Sequence, residues 1–259
     1  MNKLGMHTKR AHPARPAGKV VWIWLTLALG MSVGGAQAVP ASLNVPELGS
    51  ASRFTVLSAA PDGMGEVTTT RSMINGDVGT SGPLSSVIQT AGSISGSIIA
   101  PVTAQVLADF NRAYDAFAPI PCDRVLTGAL AGITLPPGVY GFDAAATLTG
   151  QLTLDGPANG IWLIKVGGGL TGTSLANVLL AGGARAKNVF WWVVGAATMT
   201  DSNFVGTILA SENITLTRGT YIGNALAKGS VTLTDTTASK APAQSPQSES
   251  SNDYERAAR

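Results

Sequence analysis

The chain has 259 residues, 45% of them hydrophobic and 12% charged, with 31 glycines, one cysteine, two histidines and a formal net charge of +2. Both histidines, His7 and His12, lie in an amino-terminal stretch that reads as a secretion signal, so the remainder cannot build Ser-His-Asp, Cys-His or histidine-ligated zinc chemistry. The same stretch carries five of the 17 Lys+Arg and none of the 15 Asp+Glu, which leaves the rest at a net charge of −3 and removes any basic footprint for nucleic acid.

That stretch is residues 1–38. Lys3, Lys9, Arg10, Arg15 and Lys19 supply a basic region, Val20 to Gly35 is an apolar run, and Ala36-Gln37-Ala38 is a small-x-small cleavage site. The run is short for a membrane span, which needs about 20 apolar residues. Cleavage near Ala38 and secretion are the expectation, with an uncleaved membrane anchor as the alternative. Residues 39–52 read as a linker. Cys122 is then alone in an oxidising compartment, where it is either a small buried apolar residue, the commoner fate, or a free thiol.

From Arg53 the pattern is mainly β. Phe54-Thr55-Val56-Leu57, Glu66-Val67-Thr68-Thr69-Thr70 and Ser72 to Gly79 are short strand patterns divided by turn residues, and together read as one early coil. Thr80 to Ser97 reads as a Ser/Gly-rich connection. A helix is predicted over about 101–117, because Val102, Val106, Phe110, Ala113 and Phe117 recur on one helical stripe and Pro101 suits a first helical turn. Pro119 and Pro121 end it.

The segment from Ile133 to Thr237 repeats. Thr198-Met199-Thr200, Thr215-Leu216-Thr217 and Thr232-Leu233-Thr234 align at a spacing of 17 residues, and Thr147-Leu148-Thr149 and Thr171-Gly172-Thr173 are looser copies. A second column is apolar on both strand faces: Ile161-Trp162-Leu163-Ile164, Phe190-Trp191-Trp192-Val193, Ile208-Leu209-Ala210 and Ala225-Leu226-Ala227. It needs covering on both sides, so the helix is expected there. Trp191 and Trp192 are adjacent and point to opposite sides, one into the core and one under the helix. A third column holds Leu152-Thr153-Leu154, Val178-Leu179-Leu180, Phe204-Val205-Gly206 and Tyr221-Ile222-Gly223. A short fixed period with three strand columns predicts a triangular β-solenoid, a prism of parallel strands stacked coil on coil over 53–237 with one long helix along one face. Residues 238–259, rich in Ser, Pro, Gln and Glu, read as a disordered tail.

The residues resemble the secreted bacterial and fungal ice-binding proteins, and the resemblance implies their fold, a discontinuous right-handed parallel β-helix with one long helix alongside. The resemblance rests on Phe54-Thr55-Val56-Leu57, Asn75-Gly76-Asp77-Val78-Gly79, Leu135 to Tyr140, Leu148 to Asp155, Asn188-Val189-Phe190-Trp191, Phe204 to Ala210 and Val231-Thr232-Leu233-Thr234, in the family's order. It implies that the early coil docks out of sequence order, and that a flat strand face binds ice. The short Thr80 to Ser97 resembles members without a capping subdomain. Where many relatives have a second cysteine before the Asn-Val-Phe-Trp stretch, this chain has Lys187. Where some repeat Thr-Ala/Gly-x-Thr/Asn on the binding face, it has Thr200-Asp201-Ser202-Asn203 and Thr217-Arg218-Gly219-Thr220, charged at the second position.

The expected contact residues are Thr147, Thr149, Thr171, Thr173, Thr198, Thr200, Thr215, Thr217, Thr232 and Thr234. Outward threonines recur about 6.6 Å apart along a strand and about 4.8 Å apart between coils, a grid of hydroxyl and methyl groups able to hold ordered water. Asp201, Arg218 and Asp235 recur beside this column as an alternating charge ladder. No catalysis, cofactor or small-molecule substrate is expected. The partner is ice and the protein a monomer. Two other readings stay open: a matrix or surface protein that uses the solenoid for adhesion to glycans, and a carboxylate-dependent polysaccharide enzyme, which would need acids gathered in a cleft.

Overall fold

The computed structural model describes residues 44–242. The expected signal segment and most of the expected tail lie outside them. The first regular elements among the described residues are a 3₁₀ turn (Gly49–Arg53) and seven strands: β1 (Phe54–Ser58), β2 (Val67–Thr70), β3 (Met73–Asn75), β4 (Asp77–Thr80), β5 (Val87–Thr90), β6 (Ser93–Ile94) and β7 (Ile98–Ile99). The helix α1 (Ala104–Phe117) leads to β8 (Arg124–Val125), β9 (Ile133–Leu135), β10 (Gly138–Phe142), β11 (Ala146–Leu148), β12 (Gln151–Asp155), β13 (Trp162–Val166), β14 (Leu170–Gly172) and β15 (Asn177–Ala181). The last six strands are β16 (Val189–Val193), β17 (Ala197–Val205), β18 (Thr207–Ala210), β19 (Ile214–Ile222), β20 (Ala225–Ala227) and β21 (Val231–Ser239).

Every pairing between these strands is parallel, and the strands stack into a three-sided β-helix. One side is the sheet β7-β4-β1-β20-β18-β16-β13-β10-β8. The other two merge into one hydrogen-bonded network, because β17, β19 and β21 are nine residues long and turn the corner between them. The order of strands shows the discontinuity: β1 adds to β20, and β2 and β3 add to β21, so the amino-terminal coil docks on the carboxy-terminal one.

Two apolar clusters hold the stack. Inside the helix, strand residues alternate inward, and Trp162, Trp191, Phe204 and Tyr221 form the bulk of the filling. The Trp191 and Phe204 rings lie 4.7 Å apart, and Phe204 and Tyr221 6.3 Å apart. Their polar atoms are satisfied by corner carbonyls: Trp162 Nε1 donates to Leu135 O at 2.9 Å, Trp191 Nε1 to Val205 O at 3.0 Å, and the Tyr221 hydroxyl to Gly206 O at 2.8 Å. An indole or phenol can sit in a dry core only on that condition. The second cluster lies outside the nine-stranded sheet, where Val106, Phe110, Ala113, Tyr114 and Phe117 of α1 cover Phe54, Leu57, Leu163, Phe190, Leu209 and Leu226. Each of the valine, leucine and phenylalanine side chains contributes about 1.5–3 kcal/mol on full burial. Trp192 packs on this side and donates from Nε1 to Tyr114 O at 2.9 Å. The two tryptophans divide as their adjacency requires.

Several expectations need correction. Thr80 to Ser97 is more than a connection: it supplies β5, β6 and most of the turn into β7, a second complete coil stacked on the first. Its Ser/Gly composition hid strands that have only one neighbour and few side chains to bury. The helix starts at Ala104, after Pro101, because the Val102 N–H still bonds the Thr80 carbonyl at 2.8 Å and so belongs to the sheet. The expected linker is docked at its end: Ser50 donates from its N–H (2.8 Å) and its hydroxyl (2.6 Å) to Asp109 on α1, where Gln105 and Arg112 also donate. Strand β21 runs to Ser239, two residues into the expected tail. Cys122 is exposed: it lies past the end of α1, and on either side of it Ile120 and Leu126, not the cysteine, pack against the two clusters.

Candidate functional site

On the nine-stranded side α1 covers Phe54, Leu57, Leu163, Phe190, Leu209 and Leu226. The second side is the threonine face. In Thr198-Met199-Thr200, Thr215-Leu216-Thr217 and Thr232-Leu233-Thr234 the middle residue is buried and the flanking threonines reach solvent, as strand alternation dictates. Parallel register brings Thr147, Thr171, Thr198, Thr215, Thr232, Thr68 and Ile88 into one row across the coils. A second row runs Thr200, Thr217, Thr234, Thr70 and Thr90. Thr149 and Thr173 fall just past the ends of β11 and β14, near this second row but outside the regular strands.

Thr68, Thr70 and Thr90 were missed by the 17-residue alignment, because they belong to coils that follow β21 in space and precede it in sequence. The available signal was the Thr68-Thr69-Thr70 triplet itself. Thr69 replaces the inward Met199, Leu216 and Leu233 of the other coils and is 1% exposed. Its hydroxyl has no hydrogen-bond partner among the described residues.

The hydroxyls differ between faces. Those of Thr198, Thr200, Thr215, Thr217, Thr232 and Thr234 make no hydrogen bond to protein among the described residues, so they are open to water. Thr68 is an exception at the margin, donating to Glu66 at 2.8 Å. The third side carries the row Gln151, Asn177, Asn203, Thr220, Thr237, Met73 and Ser93. Several of its polar groups satisfy one another: Thr220 donates to Asn203 at 2.6 Å, Asn177 to Gln151 at 3.5 Å and, one row over, Asn75 to Ser239 at 3.1 Å.

The charges sit at the corner between these two faces. Asp201, Arg218, Asp235 and Arg71 occupy successive coils with φ of 49°, 51°, 51° and 48°, and Ala91 follows with 49°. Such left-handed conformations are uncommon outside glycine, asparagine and aspartate. The charges form two bidentate pairs, Arg218 with Asp201 (2.5 and 2.9 Å) and Arg71 with Asp235 (2.6 and 2.7 Å). Arginine hydrogen bonds hold both carboxyl groups below their ordinary range. The stretches Thr200 to Asn203 and Thr217 to Thr220 therefore do not lie on one face. Their first threonine is on the threonine face, the charged residue is at the corner, and the last residue is on the third side.

No cluster of three or more His, Cys, Asp or Glu suited to a metal occurs among the described residues. A groove of about 590 Å³ between the amino-terminal lead and the sheet, bordered by Val45, Leu48, Phe190 and Asn224, has Glu47 as its single acid. It lacks the paired carboxylates that glycoside hydrolysis needs.

Residues 59–239 match the family model described as Ice-binding-like. An ice-binding protein of Colwellia sp is 30% identical over 214 residues, covering 75% of this chain and 82% of that protein. One from Nostoc sp. (strain HG1) is 37% identical over 186 residues, covering 70% of this chain and 66% of its own length. The crystal structure of the ice-binding protein of the Antarctic ascomycete Antarctomyces psychrotrophicus superposes with a TM-score of 0.67 at 32% identity, over 75% of this chain and 98% of that one.

Proposed function

Because the chain belongs to the ice-binding-like family, we propose that it is a secreted protein that adsorbs to ice through its threonine face and inhibits growth and recrystallisation. The contact residues are Thr198, Thr200, Thr215, Thr217, Thr232 and Thr234, extended by Thr147, Thr149, Thr171 and Thr173 on one side and by Thr68, Thr70 and Thr90 on the other. The observation that carries the reading is an in-register array of threonines whose hydroxyls at the centre of the face make no hydrogen bond to protein among the described residues.

The mechanism is preorganisation. A β-branched side chain on a hydrogen-bonded strand has little rotamer freedom left to lose on binding. Methyl groups fix the gaps between hydroxyls, and water held at the spacing of the grid, about 4.8 Å by 6.6 Å, merges with a crystal surface. Each adsorbed molecule then pins the growing front locally, and no covalent step is involved.

The test is ice recrystallisation, crystal shaping and thermal hysteresis with residues 39–259, beside a variant carrying Thr200→Tyr, Thr215→Tyr and Thr217→Tyr. Faceting and inhibition by the parent, lost in a folded variant, are expected. Absence of any effect from the folded parent at high concentration overturns the reading and turns the search to glycan adhesion.

A further inference from the structure

We infer that the charged corner of Asp201, Arg218, Asp235 and Arg71 is the boundary of the ice plane, confining adsorption to the threonine face and excluding the third side. The inference rests on the reading above. Its starting point is that β17, β19 and β21 each contribute to both faces, so the two planes share an edge along three consecutive coils. The third side is also built of parallel, in-register strands, and its central row from Gln151 to Ser93 carries no charge. Register and low charge alone do not separate the two.

The edge does. Four charged residues stack there in the same left-handed conformation, and their side chains stay 34–61% exposed. Arginine has no intrinsic preference for this conformation, and the same turn is made by Ala91 in the terminal coil, so the backbone does not demand a charge. The turn is shared by all five residues, and it is the charge on four of them that the turn does not explain. Guanidinium and carboxylate groups hold water around themselves in an arrangement that a hydroxyl and methyl grid cannot continue. Pairing cancels the net charge of each bidentate unit, so the disturbance stays local and the neighbouring threonine rows keep their own water. The water array on the threonine face therefore ends at this line and does not wrap onto Asn203, Thr220 and Thr237.

The test is a variant with Asp201→Asn, Arg218→Asn, Asp235→Asn and Arg71→Asn, since asparagine tolerates the left-handed region. Fluorescently labelled parent and variant are adsorbed to a single-crystal ice hemisphere, with folding and melting temperature followed in parallel. The parent should label one set of planes and the variant a broader or additional set. Adding Asn203→Tyr and Thr220→Tyr should leave the parent's planes unchanged and remove the variant's gain. If the variant labels the same planes as the parent, the corner is only a clamp between coils and the inference is overturned, while the threonine face stands. If the parent labels no plane, the ice-binding reading itself fails and takes this one with it.

Discussion

Asn224 reaches across 170 residues to Phe54: its Nδ2 donates to the Phe54 carbonyl oxygen at 2.5 Å and to Ser52 O at 3.2 Å, while its Oδ1 accepts from Thr207 at 3.4 Å. These bonds lie at the seam where β1 closes onto β20, the one place in the stack where successive coils are not successive in the chain. Asn224 is 7% exposed, so its loss leaves the buried Phe54 carbonyl oxygen without this donor. Asn224→Ala should cost about 1–3 kcal/mol. Urea unfolding should show the loss, and hydrogen exchange should place it in β1 and β2 before β18 or β19. Uniform loss of protection would show that the seam is not the weak line.

Thr69 offers a gain. Its buried hydroxyl faces positions filled by Leu233 and Leu216 in neighbouring coils and finds no partner among the described residues. Thr69→Val keeps the shape and removes an unsatisfied donor, which should stabilise by about 1 kcal/mol, within the range for a stranded polar group. The outward Thr68 and Thr70 are untouched, so ice activity should not change. A drop in the denaturation midpoint would mean that the hydroxyl has a water partner that valine cannot replace.

How the sequence revealed this much is itself physical. A 17-residue period survives in β17 to β21 because each coil there is as short as three sides allow, so threonine, inward apolar and corner residues keep fixed intervals. The earlier coils carry longer loops, as around Pro157 and Gly182, and their threonines drift out of the count. The amphipathic stripe of α1 was legible because Val106, Phe110, Ala113 and Phe117 are all buried. The terminal coil was not, because β5 to β7 have one neighbour each and a largely exposed Ser/Thr/Ile sequence that leaves no burial pattern. Alternation along a strand gave the outward threonines, but Arg71 as the fourth member of the corner could not be counted from a period that its coil does not share.

Acid should act on the fold through few groups. Asp109 is held below the ordinary carboxyl range chiefly by the Ser50 hydroxyl and N–H, Asp77 by the Ser97 N–H and Arg53, and Asp201 and Asp235 by their arginines. Because the folded values lie below the unfolded one, about 3.9 for Asp, the unfolded chain binds more protons in between. The stabilisation is complete above about pH 4 and is lost as pH falls through the folded values. No described residue is a histidine, so nothing comparable titrates between pH 5 and 8. The melting temperature should be level from pH 5 to 8 and fall below 4. Asp109→Asn should lower it at neutral pH and soften the acid slope, whereas an equal acid slope in that variant would remove Asp109 from the account.

Gly219 ties the corner to the face. It follows Arg218 with φ +144°, and a Cβ there would stand 2.0 Å from the Ser202 carbonyl oxygen, an atom of the next coil's backbone. That oxygen cannot retreat without stretching the ladder between β17 and β19. Gly219→Ala should therefore cost about 1–3 kcal/mol, the scale of a forced backbone conformation, and displace Thr217 from the row shared with Thr200 and Thr234. Measured well below the variant's melting temperature, ice activity should fall along with stability, since a step between coils breaks the grid that the threonines form only as a plane. Full activity in a folded but destabilised variant would show that the plane tolerates a local step, and that the exact register of these two coils is not what ice reads.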